Sequence, residues 1–446
     1  MEKNRLKDLL LNHTREEIQE EIDDIHPADL LELLEETEDE DQRRELLNDI
    51  PDDIVADIVE EMDDEDDQYE FLHMFPKNRR KEILDEMSDD ELTDLVGELN
   101  EEEGREVLSE LEPDDQQQVK QLLSYDPETA GGIMTTEYVY IFAKNTVADT
   151  LKYLQSVEDE EEIKSYLYVV DALDHLKGVV ALRDIVRSSF DTKMMDIIND
   201  NVIAINYKED QEEVANTFKK YGYSLMPVVD DDNKMLGIIE IDDILDVMEE
   251  ETTEDMNLMA GMDSEEDVDS TLSESFKSRI PWLVVNLATA VLAAAVVNNF
   301  SGTIEKVVSL SAVMSIVTGM GGNAGTQSLT ILVRGLSLNE VTKDNALRIF
   351  LKELGVGVLT GIVIGIIVGI GSTIFAHNPW FGVVAALAML LNMIAANFAG
   401  YLVPVILKKM HIDPALASGV FVTTVTDCLG FFFFLGLATM FLPLLV

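Results

Sequence analysis

Past residue 280 the sequence is dominated by five apolar segments, at about Pro281–Phe300, Val307–Val333, Leu354–Ala376, Trp380–Leu407 and Pro414–Val446. Each meets the roughly 20-residue length that a helix needs to cross a bilayer. No other feature constrains the chain so tightly, because backbone groups in lipid must be satisfied within the helix itself. Flanking charges orient the segments. If the preceding part is cytoplasmic, inner connections carry Lys277, Arg279, Arg334, Lys343, Arg348, Lys352, Lys408 and Lys409, and outer ones only Lys306. That is a positive-inside pattern. Five crossings then place the C-terminus outside a cell membrane. The start, MEKNRLKDLLLNH, lacks a continuous apolar core, so no cleavable signal peptide is expected.

Charge is placed very unevenly. Residues 280–446 hold 7 Lys+Arg and 6 Asp+Glu, leaving 25 of the chain's 32 bases and 82 of its 88 acids to residues 1–279, a net of −57 there. Such acidity excludes nucleic acid, whose phosphates need a basic patch. It suits cations as partners, and it equally suits plain solubility or adaptation to salt. The single cysteine, Cys428, provides neither a disulfide framework nor a thiolate metal site.

Residues 1–130 read as an acidic helical-repeat domain. Units recur about every 12 residues, each a polar start followed by apolar positions at helical spacing. Examples are HPADLLELLEE from His26, PDDIVADIVEEM from Pro51, PKNRRKEILDEM from Pro76, SDDELTDLVGEL from Ser88 and PDDQQQVKQLL from Pro113. Pro or Ser followed by acids suits a helix start. One unit cannot bury its apolar face alone, so the units are expected to stack, with either hand. Ala130-Gly131-Gly132 breaks this texture. Residues 131–248 then contain an internal repeat, Tyr168–Val186 and Pro227–Leu245, with Val169/Val228, Asp171/Asp230, Gly178/Gly237 and Asp184/Asp243 in register. Each copy reads as strand, acidic turn, strand with Gly, then a helix opened by Asp. This resembles a tandem CBS pair, which implies adenine-nucleotide or ion sensing on behalf of an attached protein. The first copy adds an acidic run at Glu158–Glu162.

Residues 249–279 connect this part to the apolar segments. A helix is expected from Ile244 to about Met262. Asp243, Asp246 and Glu250 share one face, and Glu251 with Glu254 or Asp255 continue a neighbouring one. Like charges at these spacings destabilise a bare helix, and a divalent ion reverses that sign. The fold class is therefore a multi-domain α-helical membrane protein. It joins a cytoplasmic helical N-domain, an α/β CBS pair, a connecting helix and a five-helix transmembrane domain over 280–446.

Within the apolar part, Asp427 is the one deep carboxylate, and no Lys or Arg lies in its segment. Such an acid costs about 2.5–3.5 kcal/mol to insert and usually faces a water-filled path or a partner. Gly319–Ser328 carries four glycines with Asn323 and Gln327. The glycines fit either close packing or a locally opened helix. Asn323 and Gln327 are costlier to bury unpaired, which favours a water-lined place for at least one. Glu353 stands beside Lys352 as an ion-pair candidate, and Asp413 precedes Pro414 at a helix-start position. There is no His/Cys cluster, no Ser-His-Asp set and no phosphate-binding Gly-Lys-Thr loop, so no enzyme is expected. The donors are all oxygen, which suits Mg²⁺ or Ca²⁺ over Zn²⁺ or Cu²⁺. One carboxylate is too little to strip Mg²⁺ of water. Two copies of Asp427 in a symmetric dimer could hold the hydrated ion.

GGNAGTQ (321–327), FLKELGVG (350–357) and DPALAS…TTVTD (413–427), together with AGGIMTTEY and EEETTED, are similar to the MgtE family of magnesium channels along nearly the whole chain. The resemblance implies a homodimer in the bilayer with a pore on its axis. Asp427 matches the pore acid, with Ser418, Gly419 and Thr423 near it. It further implies regulatory Mg²⁺ sites at Asp243, Asp246, Glu251, Glu254, Asp255 and Asp413. Asp210 and Glu212 in the second repeat, and Asp57, Asp90 and Asp94 in the N-domain, match a looser motif. Some members carry Asn at the positions of Gly419 and Thr326, which bears on selectivity. The implied function is Mg²⁺ uptake down its gradient, closed by internal Mg²⁺, with ATP as a possible ligand of the CBS pair. The alternatives are a membrane-anchored CBS sensor and a divalent transporter of broader selectivity.

Overall fold

The computed structural model describes residues 6, 9–10, 22, 25–37, 39–48, 50–62, 65–157, 165–262, 268, 270–416 and 418–446. The acidic run 158–162 lies outside them. The chain divides into two compact units, Met1–Val247 and Met248–Val446, taken separately below.

The first unit begins with short helices: α1 (Pro27–Glu35), α2 (Glu40–Leu47), α3 (Asp52–Glu60), α4 (Glu65–Leu72), α5 (Lys77–Glu86), α6 (Asp89–Glu98), α7 (Glu101–Glu110) and α8 (Asp115–Leu122). They start where the Pro and Ser punctuation predicts. Pro51, Pro76 and Ser88 stand at the N-caps of α3, α5 and α6, and acids fill the first turns of α3 and α6, where the helix dipole favours them. The apolar faces merge into one core that includes Leu30, Leu34, Val55, Ile58, Ile83, Leu84, Leu92 and Leu95. Two arginines tie the repeats together. Arg79 donates to Asp52 Oδ1 at 2.6 Å and to the Leu47 and Ile50 carbonyls at 3.0 and 2.6 Å. Arg80 makes a bidentate pair with Glu110, at 2.8 and 2.7 Å, and both residues are buried.

The internal repeat becomes two matching three-stranded sheets. β1 (Tyr140–Phe142), β2 (Tyr166–Val170) and β3 (Leu176–Ala181) form the first, with α9 (Val147–Leu154) and α10 (Leu182–Arg187). β4 (Ile205–Asn206), β5 (Leu225–Val229) and β6 (Met235–Glu240) form the second, with α11 (Gln211–Tyr221). Each sheet has a parallel pair followed by an antiparallel hairpin, and Val169 faces Gly178 as Val228 faces Gly237. The repeated aspartates explain the hairpin turns. Asp171 accepts from the Leu173 and His175 amides, and Asp230 from the Asp232 and Lys234 amides. The repeated glycines answer close backbone approaches. A Cβ would lie 2.6 Å from the Asn199 carbonyl at Gly178, and 2.5 Å from the Thr135 carbonyl at Gly237.

Helix α12 (Ile241–Ala260) follows. It opens three residues earlier than Ile244 and stops at Gly261, whose φ of +77° ends the helix before Met262. The second unit continues with α13 (Leu272–Asn298), α14 (Ser301–Lys306), α15 (Leu310–Ser337), α16 (Ala346–Ala376), α17 (Pro379–Lys409), α18 (Ser418–Met440) and α19 (Leu442–Leu445). Among the described residues four helices are long and apolar enough to cross a membrane: α13, α16, α17 and α18. These are four of the five expected crossings. α15 is a 28-residue helix of spanning length, but the run Gly319–Ser328 dilutes its apolar content. The last segment is also shorter than 414–446, because Asp413–Leu416 forms a turn and the helix begins at Ser418. α17 is the central element, buried against α15, α16 and α18. Gly357, Gly361, Gly365 and Gly369 of α16 recur every fourth residue against it, close enough that a Cβ on Gly365 would meet the Ala386 carbonyl at 2.9 Å.

Arg80→Ala is expected to cost about 3–5 kcal/mol, because Glu110 stays buried with only Lys77 beside it. Hydrogen exchange across residues 77–110 measures the loss. The volume-matched Arg80→Met/Glu110→Leu pair should restore most of it.

Candidate functional site

In the second unit, α15 and α18 run side by side with almost no side chain between them. A Cβ on Gly325 would lie 2.5 Å from Val422 Cγ1, and one on Gly322 would reach Thr423 Cγ2 at 4.0 Å. Thr423 and Asp427 are one turn apart on α18 and both are partly exposed. Among the described residues, no ion pair or hydrogen bond engages the Asp427 carboxylate. Asn323 and Gln327, also one turn apart, lie on the exposed face of α15 with Thr326 and Thr330. So the structure brings Thr423 beside the glycine run and leaves Asn323 and Gln327 outward. Gly419 lies in the first turn of α18, two turns before Asp427. A Cβ there would lie 2.5 Å from the Met259 carbonyl, so the end of α12 abuts the start of α18. Leu258 and Met259 pack on Leu329, Val333, Ala415, Leu416 and Val422.

Below this contact, Asp255 accepts from Ser337 Oγ at 3.1 Å. Burial pushes its carboxyl above the usual range and the nearby Asp413 charge adds to this, against Ser337 and Arg334. Asp255 and Asp413, two of the acids named from the sequence, are thus close enough to act on each other. Asp413 also accepts from the Ala415 and Leu416 amides at 2.6 and 3.3 Å, the capping role its position suggests. Glu353 is paired with Lys352 at 3.1 Å, as its position suggests, and also accepts from Ser328.

A second group of acids gathers in the first unit. Glu91 is pushed up to about 9, by burial first and then by Asp90, Glu60, Asp94 and Asp243. Glu60 is pushed to about 7 by burial, with Asp57 and Asp90 adding. Glu137 stands at about 7 through burial and the charges of Asp89, Asp90 and Glu60. Asp243 stands at about 7 through burial, Asp90, Asp242 and Glu240. Asp90 is raised by burial, and its Oδ1 finds no hydrogen bond among the described residues. Hydrogen bonds fix the frame: Ser88 N–H to Glu60 at 2.7 Å, Asp89 N–H to Glu137 at 3.2 Å and Thr136 Oγ1 to Asp89 at 2.6 Å.

Four of the expected acids, Asp57, Asp90, Asp94 and Asp243, therefore meet through Glu60 and Glu91. Sequence reading missed Glu60, Glu91 and Glu137. Glu91 stands in the acidic first turn of a helix, where the helix dipole already accounts for it, and nothing local to Glu137 tells that the chain before β1 returns to α6. Asp246, Glu251 and Glu254 lie further along α12. Asp210 caps α11, accepting from the Glu212 amide at 3.1 Å, and Glu212 sits in the first turn. Among the described residues no three acids, histidines or cysteines converge into a ready-made metal cage.

Long apolar helices holding a lone carboxylate, in one chain with acid-rich CBS and helical domains, define the class of a divalent cation transporter. The comparisons agree by region. Residues 314–437 match the family described as MgtE, divalent cation transporter; residues 25–128 match the MgtE intracellular N domain; residues 130–191 and 194–250 each match the CBS domain. The chain belongs to the MgtE family of magnesium transporters, whose members are transporters rather than enzymes. It is 39% identical over 325 residues to magnesium transporter MgtE of Enterococcus faecalis, covering 73% of this chain and 72% of that one. It is 34% identical over 353 residues to the Bacillus subtilis transporter, covering 79% and 78%. Among solved structures it resembles the soluble part of a magnesium transporter, with TM-score 0.52 and 34% identity over 56% of this chain and 99% of that one. It also resembles the cytosolic domain of the Mg²⁺ channel MgtE in complex with ATP, with TM-score 0.50 and 32% identity over 55% and 99%.

The raised acids give a signed pH dependence. Glu60, Glu91, Glu137 and Asp243 hold protons more tightly folded than unfolded. They favour the folded state below the ordinary carboxylate range, and that contribution fades as pH rises toward the folded values of about 7 and about 9. In Mg²⁺-free buffer the unfolding midpoint of the full chain's acidic unit should fall across this window. Millimolar Mg²⁺ should reverse the fall, and Glu91→Gln should flatten it.

Proposed function

We propose that the chain is a Mg²⁺-selective channel that admits Mg²⁺ down its electrochemical gradient and is closed by cytosolic Mg²⁺. The observation that carries this is Asp427, a carboxylate on α18 with no ion pair among the described residues, one turn from Thr423 where α18 meets the glycine run of α15, a helix whose other face is polar and exposed. In lipid both are costly. In a symmetric homodimer both face a shared water-filled axis, and two Asp427 carboxylates hold Mg²⁺ through its water shell. A hydrated divalent ion entering a negative interior gains about 4.6 kcal/mol per 100 mV, so no ATP hydrolysis is needed. Positive-inside charge supports a cytoplasmic N-terminus, and α15 as a fifth crossing puts the C-terminus outside.

Gating follows from the acids. We divide the regulatory part at residues 130, 248 and 279, as the sequence suggests. At low internal Mg²⁺ the carboxylates around Glu91 repel one another. Mg²⁺ replaces the protons they otherwise require and draws α6 and the start of α12 together. Asp246, Glu251 and Glu254 extend the same response along α12, and Asp255 with Asp413 form its lower site. The Met259–Gly419 contact passes the motion of α12 to the pore helix. Asp210 and Glu212 are the weakest members of this set, since Asp210 is already used as a helix cap. ATP fits a cavity of about 510 Å³ between the CBS repeats, lined by Tyr168, Arg183, Asp184, Tyr223, Ser224 and Pro227. The ATP complex of a related cytosolic domain supports that assignment.

Flux in reconstituted vesicles tests the reading. Asp427→Asn should reduce Mg²⁺ entry at least about tenfold, as loss of the one charged group in the path requires. Unchanged flux and selectivity would sink the channel reading in favour of a membrane-anchored sensor. Deletion of residues 1–130 should leave conduction and weaken its closure by internal Mg²⁺. Abolished conduction in that well-folded protein would contradict the gating scheme.

A further inference from the structure

Helix α15 has two unlike faces. Val317, Gly321, Gly325 and Ser328 are buried on one, and Asn323, Thr326, Gln327 and Thr330 are exposed on the other. At its middle the buried face is Gly321 and Gly325. They allow close approach but offer no side chain to interlock, so packing at that level resists rotation about the helix axis only weakly. Two polar contacts engage that face. The Asn392 carboxamide of α17, fully buried, donates from Nδ2 to the Val317 carbonyl at 2.8 Å. A Cβ on Gly321 would collide with this carboxamide, and one on Gly430 of α18 would lie 2.9 Å from it. Asn392 is therefore wedged between α15 and α18, level with a residue three beyond Asp427. Its Oδ1 is buried with no partner among the described residues, a cost that an apolar side chain of the same volume would avoid.

The second contact lies eleven residues along, about 16 Å at helical rise. Ser328 Oγ donates to Glu353 Oε2 of α16 at 2.9 Å, and both groups are buried. The other Glu353 oxygen takes the Lys352 ammonium at 3.1 Å. At the end of the helix the Lys408 ammonium also donates to the Leu336 carbonyl at 2.9 Å, and Ser337 to Asp255; along residues 317–328 the two buried contacts on one face are what hold its rotation.

We propose that Asn392 and Glu353 are positioning residues for ion passage. They hold α15 so that Asn323 and Gln327, and not their apolar neighbours Ile316 and Ile331, are turned to the path beside Asp427. This rests on the reading of the exposed face as the lining of that path.

The test uses full-length protein in vesicles with Cys428→Ser as background. Single substitutions Asn323→Cys and Gln327→Cys report the exposed face, and Leu329→Cys the buried one, through their rates of reaction with a charged thiol reagent. The first two should react faster. Ser328→Ala and Glu353→Gln should each narrow that contrast about threefold, the scale of one interhelical hydrogen bond in a bilayer. With positions 323 and 327 native, each should also lower the preference of flux for Mg²⁺ over Ca²⁺ by a similar factor. The double variant should do no more than Ser328→Ala alone, and Asn392→Leu should act independently. Contrast and preference unchanged in all three folded single variants would overturn the proposal and leave the channel intact. If Asn323→Cys and Gln327→Cys react no faster than Leu329→Cys before any of these changes, the lining reading itself falls, and the proposal with it.

Discussion

A carboxylate with no counter-ion inside an apolar helix is the constraint on which the membrane part of this protein depends. Asp427 cannot be left to lipid, and among the described residues nothing pairs with it. Its neighbours are arranged accordingly. α18 approaches α15 at two glycines, Gly322 opposite Thr423 and Gly325 opposite Val422. The opposite side is closed by α17, whose small and apolar residues fill the core with Phe381, Val384, Ala385 and Met389. The glycine ladder of α16 completes a rigid backing. An ion path needs such a backing, because a site that selects by size works only if its walls hold still.

The same chemistry, the cost of an ionised carboxylate out of water, is used in the first unit to a different end. There the acids are crowded until burial and mutual charge push Glu91 to about 9 and Glu60, Glu137 and Asp243 to about 7. Such a cluster is unstable when ionised, and its stability hinges on what neutralises it. In the proposed mechanism a lone acid in the path selects, while a crowd of acids outside it senses. The helix α12 carries acids of the sensing group at its start and meets the pore helix through Met259 near its end.

Much of this was legible from residues in order. The acidic helical repeats announced themselves through Pro and Ser starts, and the two sheets through the register of Val169/Val228 and Gly178/Gly237. The reasons are local: a cap, a turn aspartate or a glycine acts within a few residues. Asp427 was legible because charge in an apolar run has no local justification. What escaped were groups whose meaning depends on distant chain. Glu137 gains its partners only where the segment before β1 meets α6. Asn392 is one polar residue in a long apolar helix, and no pattern distinguishes it until Val317, Gly321 and Gly430 are seen around it. α15 was counted as an ordinary span, although its composition is that of a lining helix with one polar face.

By itself, then, the sequence determined the order of the parts, the membrane and aqueous halves, the repeat symmetry of the CBS pair and the identity of the lone deep acid. These follow from hydropathy, periodicity and local capping, which are properties of neighbours along the chain. Only the tertiary structure decided which acids stand together, which way α15 is turned, and that α12 ends against the first turn of α18. Those depend on Coulomb and packing terms between residues far apart in sequence. Asp427 began as an acid without explanation in its own helix; its surroundings now give it a glycine-lined seat, a polar neighbour helix and two buried contacts that set that neighbour's rotation.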